Sequence, residues 1–95
     1  MGWSAKFEFR TVPAGSTWSP SVALYGDMGN ENAQSLARLQ QDTQNNMYDA
    51  IIHVGDFAYD MNTDNARVGD EFMRQIESVA AYVPYMVVPG NHEEK

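Results

Sequence analysis

Three short segments each end an apolar run with a glycine followed by an oxygen-bearing side chain. They are Gly26-Asp27-Met28-Gly29, Gly55-Asp56-Phe57-Ala58-Tyr59 and Gly90-Asn91-His92-Glu93. Open α/β sheets place their chemistry just beyond the carboxyl ends of the strands. Carboxylate, phenol and amide oxygens can bind hard cations, and an imidazole can exchange a proton. The residue types therefore predict a metal pair, with Asp56 between the two ions.

Asp56 and Tyr59 narrow the choice of metal. The two oxygens of a carboxylate can bridge two cations. A phenol has an ordinary pKa of about 10, so it becomes a ligand only when a strong Lewis acid such as Fe(III) removes its proton. Two plainer alternatives stay open: Tyr59 as an aromatic cover for the sheet edge, and Asp27 as an Asx turn after a strand.

The third segment combines a neutral ligand with a proton donor. The carbonyl oxygen of Asn91 can bind a divalent ion without adding charge. His92 could contact a phosphate or protonate a leaving alkoxide, and Glu93 could orient His92 by accepting a hydrogen bond. The alternative is a polar turn. We expect His53, which strand alternation points away from Asp56, to be structural.

The intervening sequence predicts how these segments meet. Apolar runs at residues 21–25, 49–54 and 85–88 predict buried strands. The two aspartates are 29 positions apart and Asn91 lies 35 beyond the second, close to the roughly 30 residues of a βαβ unit. Right-handed crossovers make such strands parallel. We predict an α/β fold, a β-α-β-α-β unit whose parallel strands bring the three segments to one edge.

Two helices are predicted between the strands. The first covers residues 31–44, with Asn30 or Asn32 as its cap and only a thin apolar stripe. The second is stronger, because apolar residues recur every three or four positions from Val68 to Val83 before a proline limits it.

The beginning of the chain has a different pattern. Residues 5–12 alternate between apolar and charged side chains, which predicts one β strand before the β-α-β-α-β unit. We expect residues 1–20 to be the end of a preceding β domain and a linker. Residues 21–95 are then the N-terminal part of a catalytic domain, and the chain is a fragment or short product of a larger protein.

Composition excludes several classes of function. The net charge is −7, from 13 acidic and 6 basic residues, which disfavours nucleic acid and anionic membranes as partners. No cysteine is present, so disulfides, thiolate metal sites and a cysteine nucleophile are excluded. No apolar run approaches the ~18 to 20 residues of a membrane span, and the first residues do not have the pattern of a signal peptide.

The three segments together resemble the signature of the purple acid phosphatases within the metallophosphoesterase superfamily. Asp27-Met28-Gly29, Gly55-Asp56-Phe57-Ala58-Tyr59 and Gly90-Asn91-His92-Glu93 stand in the family's order, and the resemblance spans residues 21–93. It implies part of a metallophosphoesterase α/β sandwich. Gly29 and Tyr59 favour the purple type, since related Ser/Thr protein phosphatases have Asp-x-His at the first segment and no such tyrosine.

The resemblance also implies roles for individual residues. Asp27 and Tyr59 would bind Fe(III), Asp56 would bridge to a divalent ion (Fe, Zn or Mn), and Asn91 would bind that second ion. His92 would contact the phosphate and assist the leaving group. Two further family motifs with three histidine ligands are not in this sequence.

The function implied is that of an acid phosphatase, a secreted hydrolase that cleaves phosphate monoesters with a metal-bound hydroxide. As a fragment, the chain would be weakly active or inactive, with the remainder of the catalytic domain missing. The alternative is a truncated, non-catalytic folding or interaction unit that retains part of the metal site.

Overall fold

The protein forms a small sheet with two helices in a computed structural model, which describes residues 2–31 and 33–94. Three strands alternate with two helices: β1 (Val22–Tyr25), α1 (Leu36–Gln44), β2 (Ala50–Val54), α2 (Arg67–Ala80) and β3 (Tyr85–Val88). The predicted β-α-β-α-β order is therefore confirmed. Among the described residues, no helix has the length and apolar character needed to cross a membrane.

The sheet is parallel throughout, with the strand order β1-β2-β3. Leu24 is paired with Ile52, which in turn is paired with Met86. All three strands consequently finish at the same edge, where the segments containing Asp27, Asp56 and Asn91 begin. This register is the structural reason that residues far apart in sequence come close together.

The two helices pack against each other and lie over one face of the sheet. The core lies there and is built mainly from Leu39, Phe72 and Ile76, with Tyr25 and Tyr85 of the sheet against it. Several apolar side chains of the opposite face are exposed, including Leu24 (67%), Val54 (46%) and Met86 (50%). The described residues therefore form one covered and one uncovered face of the sheet.

Polar contacts attach α1 to α2 where its apolar stripe is thin. The side-chain amides of Gln40 and Gln44 donate to the backbone carbonyls of Gln75 and Ser78, each at 2.9 Å. Ser78 is among the last four residues of α2, whose carbonyls have no partner within the helix, whereas Gln75 lies inside the helix. Gln44 thus supplies a donor to a carbonyl that the end of α2 leaves unpaired, and Gln40 adds a second polar link between the two helices.

The start of α1 differs from the prediction. The helix begins at Leu36 rather than residue 31, and its N-cap residue, Ser35, makes no side-chain capping hydrogen bond. Asn30 does not cap it, because its side-chain amide donates to the Glu71 carboxylate at 3.1 Å. Asn32 lies outside the described residues. The competing tertiary contact to α2 explains why the helix starts later.

The strand predicted at residues 5–12 does not form in this structure, so the expectation of one preceding strand is wrong for these residues. Residues 2–20 have no regular secondary structure. Phe7 makes an edge contact with Tyr82 at 5.9 Å between ring centroids, whereas Trp3 and Phe9 are exposed. An alternating pattern becomes a strand only when a partner supplies the ladder of hydrogen bonds, and no strand among the described residues pairs with it. The boundary at residue 20 stays a prediction.

A buried histidine connects the sheet to the helix layer. The ring of His53 is fully buried and lies 4.8 Å from the rings of both Tyr25 and Phe57, measured between centroids. Its Nδ1 is 2.8 Å from the hydroxyl of Tyr85, which is also 2.8 Å from the hydroxyl of Tyr25. These contacts agree with the predicted structural role of His53.

We predict that His53 makes the fold less stable in mild acid. Burial lowers the pKa of His53 below 6.5, although the charges of Glu93 and Asp27 oppose the shift. The unfolded chain therefore binds the proton more readily. The stabilising effect of the neutral imidazole is complete above pH ~6.5 and is lost as the pH falls through the lower folded-state pKa. Urea unfolding at pH 7 and pH 5 should show a smaller free energy of unfolding at pH 5.

Variants of the two histidines distinguish the loss of stability caused by protonation of His53 from a loss caused by any other group. His53→Gln should lower stability at pH 7 by about 1 kcal/mol through the altered contact with Tyr85, but the decline between pH 7 and pH 5 should disappear. His92→Gln should retain the decline. An unchanged decline in His53→Gln would contradict the assignment.

Candidate metal centre

The first pair of predicted ligands is in direct contact. Asp27 follows β1 and Tyr59 lies in the loop after β2, and the Tyr59 hydroxyl donates to Oδ1 of Asp27 at 3.0 Å. Burial, this hydrogen bond and the charges of Asp27, Asp56 and Glu93 all raise the pKa of Tyr59. Without a cation the phenol is therefore firmly protonated, and its proton occupies a position between two oxygens that a cation could take.

The backbone at these residues has an unusual conformation. Asp27, Asp56 and Tyr59 have φ values of 54°, 51° and 53°, in the left-handed region that side chains other than glycine rarely adopt. Such conformations persist only where surrounding contacts impose them, and they are frequent at functional sites. One of these contacts is the hydrogen bond from the Asp27 N–H to the carbonyl of Gly55 at 3.1 Å.

Asp56 lies where the loops after β2 and β3 touch. Its carboxylate accepts a hydrogen bond from the backbone N–H of His92 at 3.2 Å, and the residue is only 9% exposed. A Cβ atom on Gly90 would lie 2.5 Å from Oδ1 of Asp56, and one on Gly55 would lie 2.8 Å from the Cα of Gly90. The two glycines thus permit a contact between the loops that any side chain would prevent.

The partner of the His92 ring is Asp60, which the sequence motifs do not identify. Nδ1 of His92 is 2.9 Å from Oδ1 of Asp60, and the ring lies 4.9 Å from that of Tyr59 between centroids. The prediction that Glu93 orients His92 is wrong. The one signal for Asp60 is its position directly after Tyr59, but the polar composition of residues 60–65 indicates only a loop.

Glu93 is used differently from the expectation. Its carboxylate accepts hydrogen bonds from three backbone N–H groups: those of Gly90 at 2.7 Å and of Asp56 and Phe57 at 2.9 Å each. Burial alone would raise the pKa of Glu93, but these donors and the charge of His53 hold it below its ordinary value. Glu93 is therefore an ionised acceptor for the backbone of two loops.

Asn91 lies in the turn closed by the hydrogen bond from the Glu93 N–H to the Gly90 carbonyl, and its side chain is exposed. The edge thus presents oxygen donors from Asp27, Asp56, Tyr59 and Asn91. Within the part of the chain that the structure describes, no three His, Cys, Asp or Glu residues are grouped as a metal site. The donor types fit a hard cation, since a phenol in contact with one carboxylate and within the influence of a second gains from a positive charge nearby, but they supply only part of a coordination shell.

Comparison with known proteins relates this chain to a family of phosphoesterases. Residues 20–95 match the family described as calcineurin-like phosphoesterase. Acid phosphatase type 7 of Homo sapiens is 58% identical over 95 residues, which are all of this chain and 22% of the human protein. The protein of the same name in Danio rerio is 61% identical over 92 residues, covering 97% of this chain and 21% of its own length.

A solved structure is also similar. A purple acid phosphatase isolated from yellow lupin (Lupinus luteus) seeds superposes with a TM-score of 0.71 at 32% identity, covering 96% of this chain and 18% of the lupin chain. The chain therefore spans about a fifth of the length of the relatives that it matches.

We predict that Gly90→Ala weakens the contact between the loops. The added methyl group would overlap Oδ1 and the backbone nitrogen of Asp56, at 2.5 and 2.8 Å, so the loops must move apart. Overpacking of this kind costs about 1–3 kcal/mol, measurable as a lower free energy of unfolding in urea. Gly2→Ala is the matched control, because nothing lies within 4 Å of its added Cβ. Equal stabilities for the two variants would contradict the description of this contact.

Proposed function

Because the chain belongs to the calcineurin-like phosphoesterase family, we propose that it is the N-terminal part of the catalytic domain of a purple-type acid phosphatase that hydrolyses phosphate monoesters. The observation that carries this proposal is the contact between the Tyr59 hydroxyl and the Asp27 carboxylate. Acid phosphatases are among its relatives, but the sequence covers only about a fifth of their length. The reaction, its metals and its substrate are accordingly part of the proposal.

The pair formed by Asp27 and Tyr59 supports Fe(III) as the first ion. A phenol surrounded by carboxylates is a poor acid, and here its pKa is raised further. Only a strongly Lewis-acidic cation held by Tyr59 and Asp27 would overcome that preference. Mg²⁺ or Ca²⁺ would leave the phenol protonated. The two oxygens are already adjacent, so the pair could bind the ion with little rearrangement.

The second ion is proposed to be divalent Fe, Zn or Mn, held by Asp56 and Asn91. Asp56 has two carboxylate oxygens, and Oδ1 already accepts the N–H of His92. The charge of Asp56 also acts on Tyr59, so the bridging candidate lies close to the first pair. When bound, the metals would supply the Lewis acidity that activates water and polarises the phosphate ester.

His92 is proposed to hold the proton for the leaving alcohol. With Nδ1 facing Oδ1 of Asp60 at 2.9 Å, the opposite ring nitrogen, Nε2, is available to a substrate. A carboxylate at Nδ1 fixes the tautomer and orientation of an imidazole. In this proposal Asp60 orients the imidazole, and His92 donates the proton to the ester oxygen. Protonation of a departing alkoxide is worth about 10²–10⁴-fold in rate.

The remaining features of the proposal follow from the same assignment. The substrate is a phosphate monoester, and neither nucleic acid nor a membrane is expected as a partner, since the net charge of −7 disfavours both. Secretion is proposed from the family resemblance alone. The second candidate, a non-catalytic folding or interaction unit, is favoured by one observation: four oxygen donors cannot complete the coordination of two ions.

An exchange of segments tests the proposal. The 95 residues of this chain would replace the matching residues of human acid phosphatase type 7, to which they are 58% identical. The chimaera should hydrolyse p-nitrophenyl phosphate in acid at a rate close to that of the human protein. A folded but inactive chimaera would count against the assignment. Turnover by the chain alone would exclude the non-catalytic alternative.

We predict that Tyr59→Phe abolishes the visible absorption of the iron-loaded chimaera. Loss of the phenol oxygen removes the tyrosinate–Fe(III) charge transfer from which a purple colour arises. Tyr82→Phe is the matched control, because Tyr82 is a tyrosine whose ring packs against Phe7. Titration with Fe(III), followed by visible absorption, measures the effect. A Tyr59→Phe protein that keeps its colour would show that Tyr59 is not the ligand.

We also predict that Asp60→Asn lowers kcat by about 10-fold for an alkyl phosphate and less for p-nitrophenyl phosphate. An alkoxide needs protonation to depart, whereas p-nitrophenolate does not, so a fault in proton donation depends on the leaving group. Asp64→Asn is the matched control. The Asp64 side chain is exposed, and its ion pair with Arg67 is long, at 3.8 Å. Equal losses for both substrates would indicate that Asp60 does not act through His92.

A further inference from the structure

The Glu93 side chain joins the loop after β2 to the turn after β3. One of its oxygens, Oε2, accepts the N–H groups of Asp56 and Gly90, and the other, Oε1, accepts that of Phe57. Two donors belong to one loop and one to the other. The carboxylate is therefore the shared acceptor of both loops at the strand edge.

The backbone of the β2 loop is shaped for such an acceptor. Gly55 and Asp56 have successive left-handed φ values of 81° and 51°. Unusual backbone turns of this kind can direct consecutive N–H groups to one side and form a concave anion site, often called a nest. Here a side chain of the same protein fills it, so the site is satisfied internally rather than by a substrate anion.

A second hydrogen bond joins the two loops, with the donor and acceptor exchanged between them. While Glu93 accepts the N–H of Asp56, the Asp56 carboxylate accepts the N–H of His92. Asp56 is thus fixed at both its backbone and its side chain by residues of the β3 turn. Glu93 makes no hydrogen bond to the imidazole, because Nδ1 of His92 faces Asp60.

We propose that Glu93 is a positioning residue for Asp56. Its carboxylate holds the left-handed backbone of Asp56, and this backbone in turn places the Asp56 carboxylate at the strand edge where the candidate ligands lie. The consequence for metal binding rests on the proposed function, whereas the effect on the loop backbone does not. Charge and length are both needed. An amide at this position would turn an NH₂ group toward a backbone N–H, and a shorter acid would not reach both loops.

Amide hydrogen exchange in the metal-free chain tests the positioning directly. In Glu93→Gln, the N–H groups of Asp56, Phe57 and Gly90 should exchange at least about 10-fold faster than in the unchanged chain, because each loses an ionised acceptor. The N–H of Ile51, which donates to the Pro84 carbonyl at 2.8 Å, should be unaffected. Faster exchange at Ile51 as well would mean a general loss of stability and would overturn the proposal.

Three variants make the comparison specific. Glu94→Gln removes the same charge at the next, exposed position and should leave all four amides unchanged. Glu93→Asp keeps the charge and should restore part of the protection at one loop. If Glu93→Gln fails to fold, Glu93→Asp decides: unchanged exchange at all three loop amides would overturn the proposal, and selective acceleration there would support it.

Calorimetric titration with Zn²⁺, in metal-free chimaeras that carry each variant, measures the consequence for metal binding. Glu93→Gln should bind Zn²⁺ at least about 10-fold more weakly than Glu94→Gln does. Equal affinities, with the loop amides of Glu93→Gln exchanging faster, would overturn the link between Glu93 and Asp56. If even the unchanged chimaera binds no Zn²⁺, the metal assignment of the proposed function fails, while the exchange experiment still decides whether Glu93 fixes the loops.

Discussion

The contact between the ends of β2 and β3 is the constraint on which the rest of the site depends. Parallel strands bring their carboxyl ends to one edge, but adjacent loops usually diverge to make room for side chains. Here Gly55 and Gly90 remove that obstacle, and a Cβ on either would overlap the other loop. The backbone can then approach closely enough for Glu93 to reach three N–H groups. Of the four candidate donors, Asp56 and Asn91 adjoin that contact directly.

The interior beneath the edge is polar where a small core would be expected to be apolar. The buried His53 and the half-buried Tyr85 and Tyr25 form a chain of hydrogen bonds on the helix-covered face, and two aromatic rings pack against the imidazole. The charges of Glu93 and Asp27 act on His53. The core and the site are consequently coupled electrostatically, and the core includes a group that is sensitive to mild acid.

The amino-acid pattern is sufficient to predict the sheet and the edge that gathers the candidate donors. Apolar runs of four to six residues, each followed by glycine within two positions, mark the strand ends, and each of the two gaps between runs leaves room for one helix. The pattern is insufficient at residues 5–12, because an alternation specifies a face but not a partner strand. It also fails at the start of α1, where the tertiary contact from Asn30 to Glu71 replaces the predicted cap.

The roles of the acidic residues do not follow from spacing, since a carboxylate's function depends on which donors it meets. Glu93 follows His92 directly, which suggests that it would orient the ring, yet in the turn after Gly90 its side chain extends toward the backbone of the other loop. Asp60 is remote in sequence from His92 and reaches the imidazole only because both loops end at one edge. Which of the two acids contacts the imidazole and which contacts the backbone therefore becomes visible only in the folded structure.

Glu93 and Asp60 also differ in the chemistry of their partners, since Glu93 meets backbone N–H groups and Asp60 meets an imidazole. Backbone N–H groups do not lose their protons, so Glu93 meets three permanent donors and can only accept; its contribution is geometric and does not change during a reaction. The imidazole that faces Asp60 can gain and lose a proton, so the strength of that contact follows the charge on His92. Glu93 therefore fixes the backbone of two loops, whereas Asp60 contacts a side chain of a type that can exchange a proton.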